Sequence, residues 1–450
     1  MFIDRKSELA ALKARLSSNK FELVVLYGRR RVGKTVLLSE ALKGKGAIFY
    51  CGVKNNNLGK FKQAANLQHL ADDWGVVFSA LKDKIIVLDE FPYMLEEEPG
   101  IGAELQKAID HSYAGSKTKL ILCGSIISVL KESILDYNAP LYGRKTAQLK
   151  LRPIAFPDFR GFYPKARLED IIKAYAFSGG VPQYARMVGF PFEKWLNDEL
   201  AREDSLLQDE VEFLIKSEFK KEKSYFSILE AVAFGKNTFG EIKDHGHFKE
   251  TDITPYISNL KYVDLLGTET PLFALKRDSR YYIKDWFIRF WFNFIYPFGH
   301  ELGVKNYRID GGAFNKYLGF AFEHVVRELF ADSSFASLIG FAQEKFGRQW
   351  GRIPANFSPE AGKDQYEIDV VAIEGKTSRI LFGECKWQEN ANAVSIAAAL
   401  IDKARYVGWH EGRREESFAI FAKSFSRKIT EFEGKPVKCI DILDLERHLK

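Results

Sequence analysis

One short segment constrains the fold of this chain more than any other. An apolar run at residues 23–27 leads into the loop 28–35, GRRRVGKT, which is followed by a helical pattern at 36–42. The glycines at positions 28 and 33 let the backbone turn tightly and approach a ligand closely. The N–H groups of such a loop and of the following helix N-terminus face an anion. The segment therefore predicts a strand, a phosphate-binding loop and a helix.

The end of the loop carries two side chains with specific chemistry. Lys34 would bring a positive charge to the β- and γ-phosphates, and the Thr35 hydroxyl can ligate Mg²⁺. Because no NKxD-like guanine-reading motif is found in the sequence, we expect ATP and Mg²⁺ as cofactors. The three loop arginines are expected to be solvated rather than catalytic, and able to attract polyanions. The residues predicted to bind the nucleotide are Gly28, Arg29, Arg30, Arg31, Val32, Gly33, Lys34, Thr35 and Val36.

Two further apolar runs end in polar residues. Residues 84–88 are typical of a strand buried on both faces of a parallel sheet, and Asp89 and Glu90 follow at its carboxyl end. We expect Asp89 to hold the Mg²⁺ shell and Glu90 to orient or deprotonate the attacking water. Residues 119–123 predict a third strand, which would place the Ser125 hydroxyl near the γ-phosphate.

A strand pair near the carboxyl end carries a second chemical pattern. Asp369 lies in one predicted strand, and Glu384 and Lys386 lie two residues apart in the next, so that the latter two share one face. The two carboxylates form a hard oxygen site for Mg²⁺, and Lys386 would stabilise developing negative charge. Glu323, placed near the start of a predicted helix, could complete the acidic cluster. The alternative is an ordinary surface pairing of Glu and Lys.

Several motifs together resemble a family of prokaryotic ATPases, and the resemblance spans essentially the whole chain. These are archaeal-type AAA ATPases related to the STAND class, with a carboxyl-terminal nuclease-like domain of the PD-(D/E)xK type. The motifs are FIDRKSEL, VLYGRRRVGKT, IIVLDEFPYM, LILCGSIISVL, PLYGR and FSGGVPQY.

The resemblance implies roles for further residues. Ser125 would sense the γ-phosphate, and Arg144 would act as an arginine finger, within the subunit or on a neighbour. Arg144 could instead be a surface arginine in a basic stretch. Arg186 could reach the phosphates from a lid, and Lys403 is expected to be an ordinary exposed lysine. Four residues near the first helix would lie beside the adenine: Asp4, Arg5, Lys6 and Glu8.

Pattern shifts divide the 450 residues into four units of an α/β protein. We expect a P-loop ATPase core with a parallel sheet at 1–153 and a helical lid at 154–222. A winged helix-turn-helix follows at 223–298, and an α/β domain like that of restriction endonucleases at 299–450. The third helix of the winged unit would enter DNA or serve protein contacts, and its weakly basic sequence leaves both open.

Composition limits the class of protein. The net charge of +6 is compatible with nucleic acid, and the opening residues do not form a signal peptide. We expect a cytoplasmic protein that contacts no membrane, binds DNA and can form a homo-oligomer. Its predicted function is ATP hydrolysis that controls a nuclease-like domain. The alternative is a signalling scaffold in which that domain only binds.

Overall fold

The computed structural model describes most of the chain with side chains. The described residues are 3–219, 221–273, 278–299, 308–354, 357, 364–375 and 377–449.

The amino-terminal part is built on a five-stranded parallel sheet. Its strands lie in the order β2-β3-β4-β1-β5, and every neighbouring pair is parallel. The continuous apolar runs explain this arrangement, because a strand buried on both faces needs no alternation of polar residues. The strands are β1 (Glu22–Tyr27), β2 (Ala47–Cys51), β3 (Ile85–Asp89), β4 (Lys119–Gly124) and β5 (Ala147–Lys150).

Helices cover both faces of this sheet. Successive residues of β1 point to opposite cores: Val24 and Leu26 pack in one cluster, Leu23 and Val25 in another. The predicted parallel sheet with two covered faces is therefore confirmed. The helices are α1 (Lys6–Leu16), α2 (Lys34–Ala41), α3 (Asn57–Ala64), α4 (Trp74–Ser79), α5 (Phe91–Glu97), α6 (Ile101–Ala108) and α7 (Ile127–Leu130).

The middle of the chain is mainly helical. The last three helices of this part are followed by a short antiparallel strand pair, β6 (Leu266–Glu269) and β7 (Arg280–Ile283). The helices are α8 (Phe156–Phe159), α9 (Leu168–Ser178), α10 (Pro182–Met187), α11 (Phe192–Leu200), α12 (Glu210–Glu218), α13 (Glu222–Ala233), α14 (Phe239–His245) and α15 (Glu250–Tyr262).

The carboxyl-terminal part contains a six-stranded mixed sheet in the order β14-β15-β12-β10-β9-β8. Strands β8, β9 and β10 form an antiparallel meander, and β12 then pairs in parallel with β10 after a helical crossover. The elements are α16 (Trp286–Phe294), α17 (Gly311–Phe330), α18 (Phe335–Ile339), β8 (Lys345–Arg352), β9 (Gln365–Glu374), β10 (Arg379–Lys386), β11 (Ala391–Asn392), α19 (Ala393–Ala404), β12 (Glu415–Ala422), β13 (Phe425–Arg427), β14 (Glu431–Phe432), β15 (Lys435–Asp441) and α20 (Ile442–His448).

The units share one continuous apolar core. The largest buried cluster extends from Leu23 in β1 to Leu445 in α20. The aromatic helix α16 connects the parts, since the Phe287 ring stacks on Tyr184 of α10 with the centroids 4.0 Å apart. The Tyr317 hydroxyl of α17 donates to the carbonyl of Ala176 in α9 at 2.8 Å. Among the described residues, none of the helices is both long and apolar enough to cross a bilayer.

Candidate functional site

The phosphate loop joins β1 to α2, as predicted. Gly28 has φ +158° and Gly33 has φ +92°, and a Cβ at position 28 would collide with the backbone of Leu151. The buried Lys34 ammonium donates to the carbonyl oxygens of Gly28 and Arg29, both at 2.9 Å. Burial lowers the pKa of Lys34. The loop thus holds its lysine in place through its own carbonyls.

A hydroxyl and a carboxylate meet beside the loop. The Thr35 hydroxyl donates to Oδ2 of Asp89 at 2.7 Å, and Asp89 is only 3% exposed. The other carboxylate oxygen accepts from the backbone N–H of Glu90 at 3.0 Å. Hard oxygen atoms of these types are the ligands that Mg²⁺ prefers, so this pair fits the cation. Thr35 and Asp89, both predicted to bind Mg²⁺, therefore lie together.

Glu90 and Ser125 are also in contact. Glu90 forms the turn between β3 and α5 in the left-handed region, with φ +45°. Its carboxylate accepts from the Ser125 backbone N–H at 3.1 Å and from the Ser125 hydroxyl at 2.7 Å. The carboxyl ends of adjacent parallel strands bring these residues together.

A cavity of about 610 Å³ lies over the loop and is large enough for a nucleotide. Residues 30–36 of the loop, together with Glu90, form one wall. Arg186, which was predicted to reach the phosphates from a lid, also lines this cavity. Apolar side chains from several elements complete the lining and suit a purine ring: Ile3, Ile154, Phe162, Pro182, Met187 and Phe213.

Only one of the four residues predicted beside the adenine reaches this cavity. Arg5 lines it, and its guanidinium donates to the carbonyl of Val32 at 3.2 Å and to that of Arg152. The described residues that line the cavity do not include Asp4, Lys6 or Glu8. Arg5 thus connects the phosphate loop to the segment that follows β5.

The expectation that the loop arginines are solvated is wrong. Arg29 forms an ion pair with Asp285, and the side chains are 11% and 0% exposed. Arg31 pairs with Glu210 of α12 at 2.6 Å. These acids lie far from the loop in sequence, so no local pattern could have identified them.

The third loop arginine is likewise engaged. Arg30 donates to the Tyr93 hydroxyl at 2.8 Å, and its guanidinium lies 5.4 Å from the Phe213 ring centroid. Gly28 and Arg29 line a different cavity from the one that contains Lys34. The loop arginines therefore contact α5, α12 and Asp285, the residue that caps α16.

Arg144 occupies a surface position. Its guanidinium donates to both carboxylate oxygens of Asp110, at 2.7 and 2.6 Å. It is absent from the described lining of the loop cavity. Action on this chain's own nucleotide therefore finds no support in this arrangement, and the role on a neighbouring subunit stays a prediction.

The carboxyl-terminal carboxylates lie on the adjacent strands β9 and β10, with Asp369 in the middle of β9 and Glu384 near the carboxyl end of β10. Oδ2 of Asp369 accepts from the backbone N–H of Cys385 at 2.8 Å. Glu384 accepts from Lys386 at 2.7 Å, as their common face predicted. Both carboxylates are buried, and burial together with the charge of Glu384 raises the pKa of Asp369.

Lys403 differs from its expectation. Rather than standing free on the surface, it reaches from α19 and donates to both oxygens of Glu384 at 3.0 Å. The crossover helix packs on the sheet at this point, which explains the contact. Glu384 is therefore held by two lysines.

Glu323 lies well inside α17, because the helix begins at Gly311 and not near residue 318. Its carboxylate lies 3.7 Å from Arg348 and 3.8 Å from Arg327. Burial and the neighbouring charge of Asp369 raise the pKa of Glu323 to about 8. Glu323 and Asp369 thus influence each other electrostatically.

The three carboxylates do not form a ready three-ligand metal site. No group of three or more His, Cys, Asp or Glu side chains that could hold a metal ion occurs in the part of the chain that the structure describes. The reason is local: lysines engage Glu384, a backbone N–H engages Asp369, and arginines attract Glu323. Asp369 and Glu384 remain a pair of hard oxygen donors that suits Mg²⁺.

The predicted recognition helix is α15. Ser258 and Lys261 are exposed, whereas Tyr256 packs edge-on against Tyr225 with the centroids 5.0 Å apart. Asn259 donates to the Tyr225 hydroxyl at 2.9 Å. The structure does not describe the side chain of Thr251 in the same helix.

Two parts of the chain are similar to known families. Residues 2–188 match a family of ATPase domains found predominantly in Archaea, and residues 291–396 match archaeal and bacterial proteins of unknown function. The Walker-type ATPase PABY2304 of Pyrococcus abyssi has a similar fold, with a TM-score of 0.50 and 22% identity. The match covers 65% of this chain and 96% of that structure.

Two proteins of Methanocaldococcus jannaschii are similar in sequence. The uncharacterized ATP-binding protein MJ0423 is 51% identical over 45 residues, which are 10% of this chain and 76% of that protein. The uncharacterized protein MJECL04 is 39% identical over 439 residues, covering 95% of this chain and 97% of its own length. The chain therefore belongs to the family of MJECL04, and its amino-terminal part is an archaeal-type P-loop ATPase domain.

Proposed function

We propose that this protein is a Mg²⁺-dependent ATPase whose nucleotide cycle controls a nuclease-like domain that acts on nucleic acid. One observation carries the first half of the proposal. The Thr35–Asp89 contact and the Glu90–Ser125 contact lie side by side at the carboxyl ends of β3 and β4. They supply a metal shell and a base next to the phosphate loop.

The residues divide the work of hydrolysis. Lys34 would leave the loop carbonyls to contact the β- and γ-phosphates, while Thr35 and Asp89 would hold the cation. Bound Mg²⁺ would neutralise charge on the phosphate oxygens. Glu90 turns from Ser125 to the attacking water and accepts its proton. Ser125, once released, donates to a γ-phosphate oxygen.

The loop arginines give the cycle a route to the rest of the protein. A shift of the loop on nucleotide binding acts on the lid through the Arg31–Glu210 pair. It acts on α16 through the Arg29–Asp285 pair. Because α16 packs against α17, the helix that carries Glu323, this route leads toward the carboxyl-terminal carboxylates.

The nuclease-like hypothesis is supported by topology and residue placement. The hypothesis requires a helix, three antiparallel strands, a crossover helix and a parallel strand, in this order. The corresponding elements are α17, β8, β9, β10, α19 and β12. Asp369 lies in the middle of β9, beside the carboxyl end of β10 that carries Glu384 and Lys386. In a nuclease, the carboxylates would bind the cation and Lys386 would stabilise the charge on the attacked phosphate.

The scaffold alternative has its own support. Glu384 is engaged by Lys386 and Lys403, an arrangement that also suits a domain that binds without cutting. The three helices α13, α14 and α15 with the β6–β7 pair resemble a winged helix-turn-helix, which serves either DNA or protein partners. Control of homo-oligomerisation by ATP belongs to this alternative.

Phosphate release from ATP tests the ATPase half. We expect Lys34→Ala to abolish turnover, because the phosphates lose their cation. Lys43→Ala, an exposed lysine two residues beyond the end of α2, is the matched control and should retain turnover. Normal turnover by Lys34→Ala would refute the assignment of the loop.

Incubation with plasmid or single-stranded DNA and Mg²⁺ or Mn²⁺ tests the nuclease half. Cleavage by the wild type that is lost in both Asp369→Ala and Lys386→Ala supports an enzyme. Lys438→Ala, an exposed lysine of the same sheet, is the control. Absence of cleavage by the wild type with either metal favours the scaffold.

A further inference from the structure

A second, larger cavity lies between the ATPase part and the carboxyl-terminal sheet. Its volume is about 950 Å³. The back of the phosphate loop, β7, α16, α17 and β8 all contribute to its walls. Eight arginine or lysine side chains and five carboxylates line it among the described residues. The cavity is therefore rich in cationic groups and is separate from the one over Lys34.

The carboxylates of this cavity already have partners. Asp264 is held by Lys150 and Lys284, the latter at 2.9 Å. Glu269 and Glu367 both pair with Arg348. Glu328 accepts from the Phe156 backbone N–H and the Tyr175 hydroxyl, both at 2.8 Å, so it too is satisfied.

Two arginines, in contrast, are only weakly neutralised. The Arg289 guanidinium lies 5.0 Å from the ring centroids of both Trp286 and Phe320, and no carboxylate of the described residues forms an ion pair with it. One terminal nitrogen of Arg327 is buried without a hydrogen-bond partner. The ion pair of Arg327 with Glu323 is 3.8 Å long, beyond hydrogen-bond range. A partly buried cation without a close counter-ion is costly, which points to an anionic ligand.

The cavity also offers aromatic surface. The rings of Tyr281, Tyr282 and Phe346 line its walls. Proteins that bind single-stranded nucleic acid combine a basic groove for the backbone with aromatic rings on which bases stack. A cavity of this volume suits a small number of nucleotides, whereas a duplex is too wide to enter it.

We propose that this cavity binds the backbone of single-stranded nucleic acid, with Arg289 and Arg327 contacting one phosphate beside Glu323. The proposal rests on the proposed nuclease-like function and names the class of its substrate. Arg348 contacts both Glu323 and Glu367, and Glu367 lies two residues from Asp369 in β9, so the strand would lie close to the carboxylate pair of β9 and β10. Gly28 and Arg29 of the phosphate loop also line the cavity, so the nucleotide state would act on this strand.

Fluorescence anisotropy with a labelled oligothymidylate tests the proposal. The measurement uses the full chain in EDTA and without ATP, so that neither hydrolysis nor cleavage affects the result. Wild-type protein should bind the single strand more tightly than a duplex of the same length. Arg289→Gln and Arg327→Gln should each weaken binding about tenfold and reduce the salt slope by about 0.7. Arg202→Gln, an exposed surface arginine, is the control.

The outcomes separate this proposal from the function on which it rests. Binding lost in the two variants, with no cleavage by the wild type, supports the site and refutes only the nuclease. Equal affinity and salt slope in Arg289→Gln, Arg327→Gln and Arg202→Gln overturn the site, as does tighter binding of the duplex. If Arg289→Gln unfolds at a much lower temperature than the wild type, the test rests on Arg327→Gln and on Arg289→Lys. Because Arg289→Lys keeps the positive charge, it should still bind the oligothymidylate.

Discussion

The hydroxyl of Thr35 donates to the carboxylate of Asp89 at 2.7 Å, across the gap between the phosphate loop and the end of β3. This contact joins two segments that are distant in sequence and fixes both groups where a cation shared with a nucleotide would lie. It depends on the hydroxyl alone, because the methyl group of threonine cannot donate.

Thr35→Val should therefore lower ATP turnover by at least about a hundredfold. Valine has nearly the same shape as threonine but lacks the hydroxyl that would ligate the metal. Thr35→Ser keeps the hydroxyl and should retain most of the turnover. Phosphate release measured over a range of Mg²⁺ concentrations checks both variants. Equal activity of the valine and serine variants would show that the hydroxyl is not used.

The Arg29–Asp285 ion pair is a second testable contact. Arg29→Met leaves the fully buried Asp285 without its counter-ion and should lower the free energy of unfolding by about 3 kcal/mol. Asp285→Asn in the same chain should recover part of this loss, because asparagine still caps the N–H of Ile288. Denaturant unfolding of the single and double variants measures the coupling.

Arg202→Met is the control for these unfolding measurements. The ion pair of Arg202 with Asp204 is exposed and should contribute less than about 1 kcal/mol to the free energy of unfolding. Additive effects of the Arg29 and Asp285 substitutions would contradict a direct interaction.

Stability should depend on pH through Glu323. Its pKa in the folded protein is raised to about 8, from an ordinary value of 4.5, by burial and by Asp369. Between these values the folded state binds more protons than the unfolded state, so the free energy of unfolding falls as pH rises. Glu323→Gln cannot ionise, and its stability should fall less over that interval, by on the order of 2 kcal/mol.

Urea unfolding between about pH 5 and about pH 8 measures this difference. Glu415→Gln, at an exposed end of β12, should follow the wild type. A Glu323→Gln curve parallel to that of the wild type would mean that Glu323 is ionised throughout this range.

The amino-terminal site could be predicted because its signals are local. The apolar run before Gly28 and the run before Asp89 each specify a buried strand, and parallel pairing brings their carboxyl ends together. Loop, lysine, hydroxyl and acid then follow from chain order alone. The same pairing brings Glu90 and Ser125 into contact.

Contacts between distant segments could not be predicted in this way. Arg29 and Asp285 carry no local pattern that relates them, so the arginine looked solvated. Lys403 looked like an exposed lysine because only the packing of α19 on the sheet brings it to Glu384. The glycines at 311 and 312 concealed the true start of α17, where Asp310 caps the helix at Ala313.

A single-turnover experiment with labelled ATP tests the central claim most directly. Glu90→Gln removes the base and keeps the hydrogen-bonding shape, so it should bind ATP as tightly as the wild type yet hydrolyse it at least about a hundredfold more slowly. ATP recovered intact from Glu90→Gln, beside ADP from the wild type, is the predicted result. Equal hydrolysis by the two proteins, or no ATP bound to either, would contradict the account.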